Sequence, residues 1–136
     1  MFIFKTNTPT FFDYSEQKLF ENYLLIKDKE YFVVLNNSNN IVGSGGYSYD
    51  NTTKTIDLTW GMIDFNFHNK GFGTALLNYR ILQIELNFPK RDIRLNTTQK
   101  TFKFYEKFGF KIEKFTKDYY TEGLDRYDML RKIAIK

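Results

Sequence analysis

Apolar residues fall along the chain in short blocks whose spacing switches between helical and strand periods. Phe2, Ile3 and Phe4 form a brief apolar run that fits a strand or the tail of a helix, broken by Asn7-Thr8-Pro9-Thr10. From Asp13 the spacing turns helical, with Leu19, Phe20, Tyr23 and Leu24 on the repeat. Asp13 or Ser15 supplies an N-cap and Lys27-Asp28-Lys29 closes the helix. Tyr31–Leu35 (YFVVL) is β-branched and aromatic, Asn36–Asn40 is a turn, and Ile41–Tyr49 returns as a glycine-rich strand, which predicts an antiparallel hairpin. After a turn at Asn51–Lys54, Ile56–Ile63 (IDLTWGMI) is a further strand, and the lone Gly61 inside it predicts a bulge or a close backbone approach.

The second half alternates more quickly. Gly71-Phe72-Gly73 opens a helix with Leu76, Leu77, Arg80, Ile81 and Ile84 at helical spacing, stopped by Pro89. Asp92–Thr97 (DIRLNT) is a strand, and Lys100–Phe108 is a helix with Gly109 at its C′ position. Phe110–Phe115 and Tyr127–Ile133 are two final strands around a turn region at Asp118–Gly123. The resulting order is helix, three meandering strands, helix, strand, helix, two strands. It predicts mixed layers of helix and sheet, not a doubly wound parallel sheet.

Composition narrows the possible chemistry. With 136 residues the chain is expected to be one domain, and 42% hydrophobic and 19% aromatic residues provide enough apolar area to fold. There is no Cys, which excludes a disulfide framework, a thiolate metal site and a cysteine nucleophile. The single histidine, His68, excludes a multi-His zinc site, so no metal is expected. A net charge of +4 is a mild bias toward anionic partners, and its basic residues are scattered among acidic ones, so no nucleic acid partner is expected. Neither a signal peptide nor a membrane-spanning apolar run is visible, which predicts a cytoplasmic protein with no membrane partner.

The segment His68-Asn69-Lys70-Gly71-Phe72-Gly73-Thr74 leads directly into a helix. Backbone N–H groups that start a helix have no intrahelical acceptor and can converge on an anion, aided by the macrodipole. Glycines permit close approach, and Lys70 adds a formal charge. No Gly-Lys-Ser/Thr follows, which excludes a Walker A loop, and two glycines after a meander strand match the dinucleotide fingerprint poorly. By itself the loop fits an anion cradle or a tight capped turn.

Three motifs in order resolve that choice. His68-x-x-Gly71-x-Gly73, Phe104-Tyr105-Glu106-Lys107-Phe108-Gly109-Phe110 and Gly123-Leu124-Asp125-Arg126-Tyr127-Asp128-Met129 resemble, over about Tyr31–Lys132, the GNAT superfamily of acetyl-CoA-dependent N-acetyltransferases. His68 stands where that family usually has Arg or Gln. The resemblance implies an α+β fold: a mixed, mostly antiparallel twisted sheet flanked by helices. It is splayed between the family's fourth and fifth strands, here Ile56–Ile63 and Asp92–Thr97. Members usually begin with a strand and a full helix, so Met1–Lys5 is expected to be a remnant of the first helix, with the first strand missing.

The resemblance also implies function. It implies direct acetyl transfer from acetyl-CoA, as cosubstrate, to a primary amine in a ternary complex, consistent with the absence of Cys. Tyr105 occupies the family's catalytic tyrosine position, and a phenol can deliver a proton to a nascent thiolate. Asp57 precedes Gly71 by the separation at which some members place a strand-four glutamate, which implies a base acting directly or through water; a water relay with no single base is the other option. Cofactor contacts are implied for Met62 and Ile63 beside the bulge, where backbone polarises the thioester and the pantetheine arm pairs like an extra strand. They are implied likewise for His68, Asn69, Lys70, Gly71, Phe72, Gly73 and Thr74 in the loop, and for Thr98 among Asn96–Gln99. Trp60 is expected in the core. The acceptor, a small-molecule or protein amine, is expected between the first helices and the last hairpin, where Tyr119, Tyr120, Glu122 and Asp125 offer an aromatic and acidic wall. A homodimer is left open. The alternative is a non-catalytic acyl-CoA-binding module of the same fold.

Overall fold

β-branched and aromatic blocks pair as their alternation requires. The computed structural model describes residues 1–26 and 30–132. Its elements are α1 (Phe2–Thr6), a 3-10 turn at Tyr14–Glu16, α2 (Gln17–Leu24), β1 (Glu30–Leu35), β2 (Ile41–Asp50) and β3 (Thr55–Ile63). There follow a 3-10 turn at Phe65–Phe67, α3 (Phe72–Asn87), β4 (Ile93–Thr97), α4 (Phe102–Glu106), β5 (Lys111–Thr121) and β6 (Leu124–Arg131). The strands form one sheet in the order β1-β2-β3-β4-β6-β5. Every neighbouring pair is antiparallel except β3 and β4, which are parallel because α3 carries the chain back across the sheet between them. The α+β architecture, mostly antiparallel with flanking helices, is the one expected.

The N-terminal run is a helix. Ile3 and Phe4 are both buried while Phe2 is 68% exposed, a distribution that strand alternation cannot produce. Asn7 Nδ2 donates to the Ile3 carbonyl (2.9 Å) and to the Ile63 carbonyl (2.7 Å), tying the end of α1 to the end of β3. Asp13 and Glu16 form a capping box on the following 3-10 turn, so the expected Asp13 cap serves that turn and α2 begins after it. The expected closure at Lys27-Asp28-Lys29 and the strand end at Ile133 lie outside the described residues.

The last third departs from expectation. α4 is shorter than Lys100–Phe108, although Gly109 does take φ +90° just beyond it. The turn region expected at Asp118–Gly123 belongs largely to β5. Thr116 pairs with Arg126 and Thr121 with Leu124, so a wide bulge over Lys117–Tyr120 faces Asp125 and the connection shrinks to Glu122-Gly123. Asp118, at φ +51°, donates its N–H to Asp125 Oδ1 (2.9 Å) and accepts from the Gly123 N–H (2.8 Å), which pins the bulge. Polar turn-forming residues here fix a strand irregularity.

Two cores flank the sheet. On one face α3 and α4 cover Tyr47, Ile56, Ile93, Leu95, Phe110 and Met129. On the other, α1 and α2 bring Ile3, Phe4 and Phe20 onto Met62 and the half-buried Trp60. Among the described residues no helix is long and apolar enough to cross a membrane.

Candidate active site

β3 and β4 run side by side for only two register pairs, Ile56 with Ile93 and Asp57 with Arg94. Beyond them the strands diverge into an open cleft of ≈ 1130 Å³. Among the described residues, the β4-facing backbone of β3 past Asp57 therefore has no strand partner. A bulge sharpens the opening: Ser44 pairs with Met62 but Gly46 with Thr59, so β3 carries one extra residue there. Trp60 has φ +41°, and Thr59 and Trp60 both turn toward α2. Tyr23 and Thr59 share a hydroxyl hydrogen bond (2.6 Å), and the Trp60 ring lies 5.0 Å from that of Phe20. Gly61 faces α3. The predicted bulge is there, with the positive φ on the tryptophan before the glycine.

At the mouth of the cleft stands the start of α3. Asn69 (φ +62°) and Gly71 (φ +85°) alternate with ordinary residues, a local shape that turns successive N–H groups inward. Asn69, Gly71, Gly73 and Thr74 line the cleft, as do Met62 and Ile63. Lys70 and Phe72 are not on its wall; Lys70 is exposed, and the Phe72 ring turns to Phe67, 6.2 Å away. His68 reaches the wall but its ring is spent on structure. Its Nε2 donates to the Ile63 carbonyl (2.8 Å), and Phe11 and Phe65 flank it, each 5.1 Å away.

On the α4 side, Thr98 is buried and its carbonyl accepts from the N–H groups of Thr101 and Phe102, starting α4. Tyr105 follows within that helix, edge-on to Phe104 (5.2 Å) and Phe110 (5.9 Å), on the cleft wall. Among the described residues its hydroxyl has no hydrogen-bond partner. Asp57 sits where β3 and β4 part, held by Arg94 Nε to Oδ1 (3.0 Å) and Nη2 to Oδ2 (3.2 Å), while Nη2 also reaches Asp50 Oδ2 (3.1 Å). Burial pushes the Asp57 carboxyl above the usual aspartate value, with Arg94 opposing that shift.

The opposite wall corrects the expected acceptor residues. Tyr119 and Tyr120 line the cleft, but Glu122 and Asp125 do not. Acidity comes instead from Glu16, Glu113 and Asp128. Tyr120 donates its hydroxyl proton to Asn96 Oδ1, and burial pushes its phenol far up, with Arg126 opposing and Glu16 and Asp128 adding to the rise. Arg126 forks onto Asp128 Oδ1 (2.9 and 2.8 Å) and lies 4.5 Å over the Tyr119 ring.

Glu16 is 8% exposed, and its Oε2 accepts the Asp13 N–H (2.8 Å). Burial raises its pKa above that of the unfolded chain. The folded state thus holds the extra proton, and stability falls as pH rises from about 4.3, the unfolded value, through the higher folded value. Glu16→Gln keeps the acceptor oxygen and does not ionise. It is expected to melt above the parent at pH 7, with the advantage fading toward pH 4; paired thermal melts across that range check this.

Sequence reasoning missed Glu16, Asp128, Arg94 and Arg80. Arg80 alone left a signal, because an arginine on an otherwise apolar helical stripe is anomalous. Among the described residues no cluster of three His, Asp or Glu groups is poised to hold a metal ion.

No curated protein matches the chain. Among solved structures it is similar to a GNAT-family chain from Desulfovibrio desulfuricans, with 22% identity, 97% of this chain and 89% of that one covered, and a TM-score of 0.75. It is also similar to a GNAT family acetyltransferase from Elizabethkingia anophelis with acetyl-CoA bound (22% identity, 88% and 84% covered, TM-score 0.72). A third is the ribosomal-protein-S18-alanine N-acetyltransferase from Escherichia coli (19%, 92% and 81%, 0.72). These likenesses establish the shared fold. The family model of the acetyltransferase (GNAT) domain matches residues 5–133, and the chain belongs to that family.

Proposed function

We propose that residues 1–136 work as one N-acetyltransferase domain, moving an acetyl group from acetyl-CoA directly to a primary amine. One observation carries this: β3 parts from β4 after Asp57, with the N-terminus of α3 at the mouth of the opening. An extended, anionic-ended molecule fits such a slot, its phosphates on backbone N–H groups and its amide-bearing arm on a free strand edge. The acetyl-CoA bound to the Elizabethkingia relative supports the same ligand here.

In this reading the N–H groups of Gly71–Thr74 and the Asn69 turn hold the pyrophosphate, and the β3 edge to Met62 and Ile63 holds the pantetheine arm. Lys70 contributes only long-range charge, and His68 shapes the loop. Thr98 closes the α4 side. The amine enters from the wall of Glu16, Tyr119, Tyr120 and Asp128. Its ammonium first loses a proton, to Asp57 through water or to solvent. The free amine attacks the thioester carbon, the carbonyl pair moves onto oxygen, and backbone N–H at Gly61–Ile63 receives that charge. Collapse breaks the C–S bond; the thiolate takes the Tyr105 proton, the second proton of the new amide nitrogen passes through water to restore the Tyr105 phenol, and amide and CoA leave.

The test is to titrate the full chain with CoA by calorimetry and to follow free thiol release from acetyl-CoA across a panel of amines. Saturable CoA binding with amine-dependent thiol release is the expected result. Tight binding with no turnover on any amine leaves the non-catalytic binding module, and no binding overturns both readings.

A further inference from the structure

We infer that Arg80 is a positioning residue of the acyl-transfer site: its buried guanidinium holds the β3 bulge in shape and sets an uncompensated positive charge directly behind it. Arg80 lies in α3 and is 2% exposed, yet it borders the cleft. Among the described residues no carboxylate pairs with it. Nη1 donates to the Gly46 carbonyl (3.2 Å), and Nε has no hydrogen-bond partner among the described residues. A buried cation in that state costs the fold stability.

The sheet is shaped around this group. A methyl added at Gly61 would stand 2.7 Å from Arg80 Nη2, and one at Gly45 3.2 Å from Nη1. These two glycines flank the bulge on adjacent strands, so the guanidinium fills the space that their missing side chains leave. It bonds β2 at Gly46, where the register slips. Its charge passes through the thin sheet to the opposite face, where it works against the burial that raises the phenols of Tyr23 and Tyr31. Arg80 also borders the cleft itself. Resting on the acetyl-transfer reading, the negative charges that Arg80 meets are the transient oxyanion at the bulge and the departing thiolate. Neither exists in the resting enzyme, which explains why no carboxylate neutralises it.

The experiment compares the full-length protein with Arg80→Met and Arg80→Lys. With protein in excess, the thiolate absorbance of bound CoA is titrated against pH, and steady-state kcat and KM for acetyl-CoA are measured with an accepted amine. The bound thiol is expected to be about tenfold more acidic on the parent than on Arg80→Met, as an opposite charge nearby requires. The kcat of Arg80→Met is expected to fall roughly 10²-fold, with KM little changed. Arg80→Lys, which keeps the charge, is expected to recover most of both. Equal thiol acidity on parent and Arg80→Met overturns the proposal, as does an equal loss of kcat in the Met and Lys variants, which would mark a packing role. Should Arg80→Met fail to fold, Arg80→Gln carries the same comparison. Failure of the parent to bind CoA refutes the acetyl-CoA reading itself, and this inference with it.

Discussion

Tyr105→Phe is expected to lower kcat by about 10²–10³-fold while leaving CoA affinity and melting temperature at parental values. The substitution removes one oxygen. Because that hydroxyl has no hydrogen-bond partner among the described residues, its loss strands no buried donor or acceptor, and the ring keeps its edge-on contacts with Phe104 and Phe110. A purely structural tyrosine would therefore tolerate the change in rate as well as in stability. Single-turnover measurement of thiol release separates the outcomes: a parental rate in Tyr105→Phe removes Tyr105 from the chemistry and hands protonation of the thiolate to water.

Phe4→Ala is expected to destabilise the fold by about 3–5 kcal/mol. Phe4 is 1% exposed, and its ring stacks on Phe12 (5.1 Å) and Phe20 (5.6 Å) and tilts toward Trp60 (6.4 Å). It thereby joins α1, the segment before α2 and the β3 bulge in a single aromatic cluster. Neighbours anchored on both sides cannot collapse fully into the space left behind, so the cavity term adds to the lost transfer energy. Urea unfolding of the two proteins reads the difference directly; a loss of under about 1 kcal/mol would mean that α1 is not part of the core. Trp60 and the adjoining bulge depend on the same cluster, so the variant should also lose affinity for acetyl-CoA.

Legibility in the sequence followed physical range. β1, β2 and β3 were plain because alternation and turn clusters are local, and α3 because its apolar stripe is long. Phe2–Phe4 was ambiguous because three apolar residues carry no period; the burial of both Ile3 and Phe4 against the rest of the fold, with the tie from Asn7 to Ile63, goes with the helix. The Asp118–Gly123 region looked like a turn since Asp118 and Gly123 are turn formers, and the wide bulge they build depends on Asp125 across the hairpin. The site divides similarly. Gly61 signalled the bulge, and the loop glycines signalled the α3 start. His68, Lys70 and Phe72 looked equivalent to their neighbours in one dimension, and aromatic packing or solvent claimed them in three. Asp57 gave no hint of Arg94, its partner on a strand reached only after α3. Glu16 could not be placed because its wall is assembled from β6 and the β5 bulge.

The divergence of β3 from β4 has a consequence for solubility. An unpaired strand edge is ordinarily a template on which another chain can add, and proteins blunt such edges with charge, proline or cover. Here one lies in the middle of the sheet, between two strands of the same molecule, where a slender thread can lie and a foreign strand with its own sheet cannot. The molecule keeps adhesive backbone available to a small ligand while hiding it from other proteins. A ligand seated there spans both halves of the sheet and binds only the folded chain, so resistance to unfolding should climb with the logarithm of its concentration.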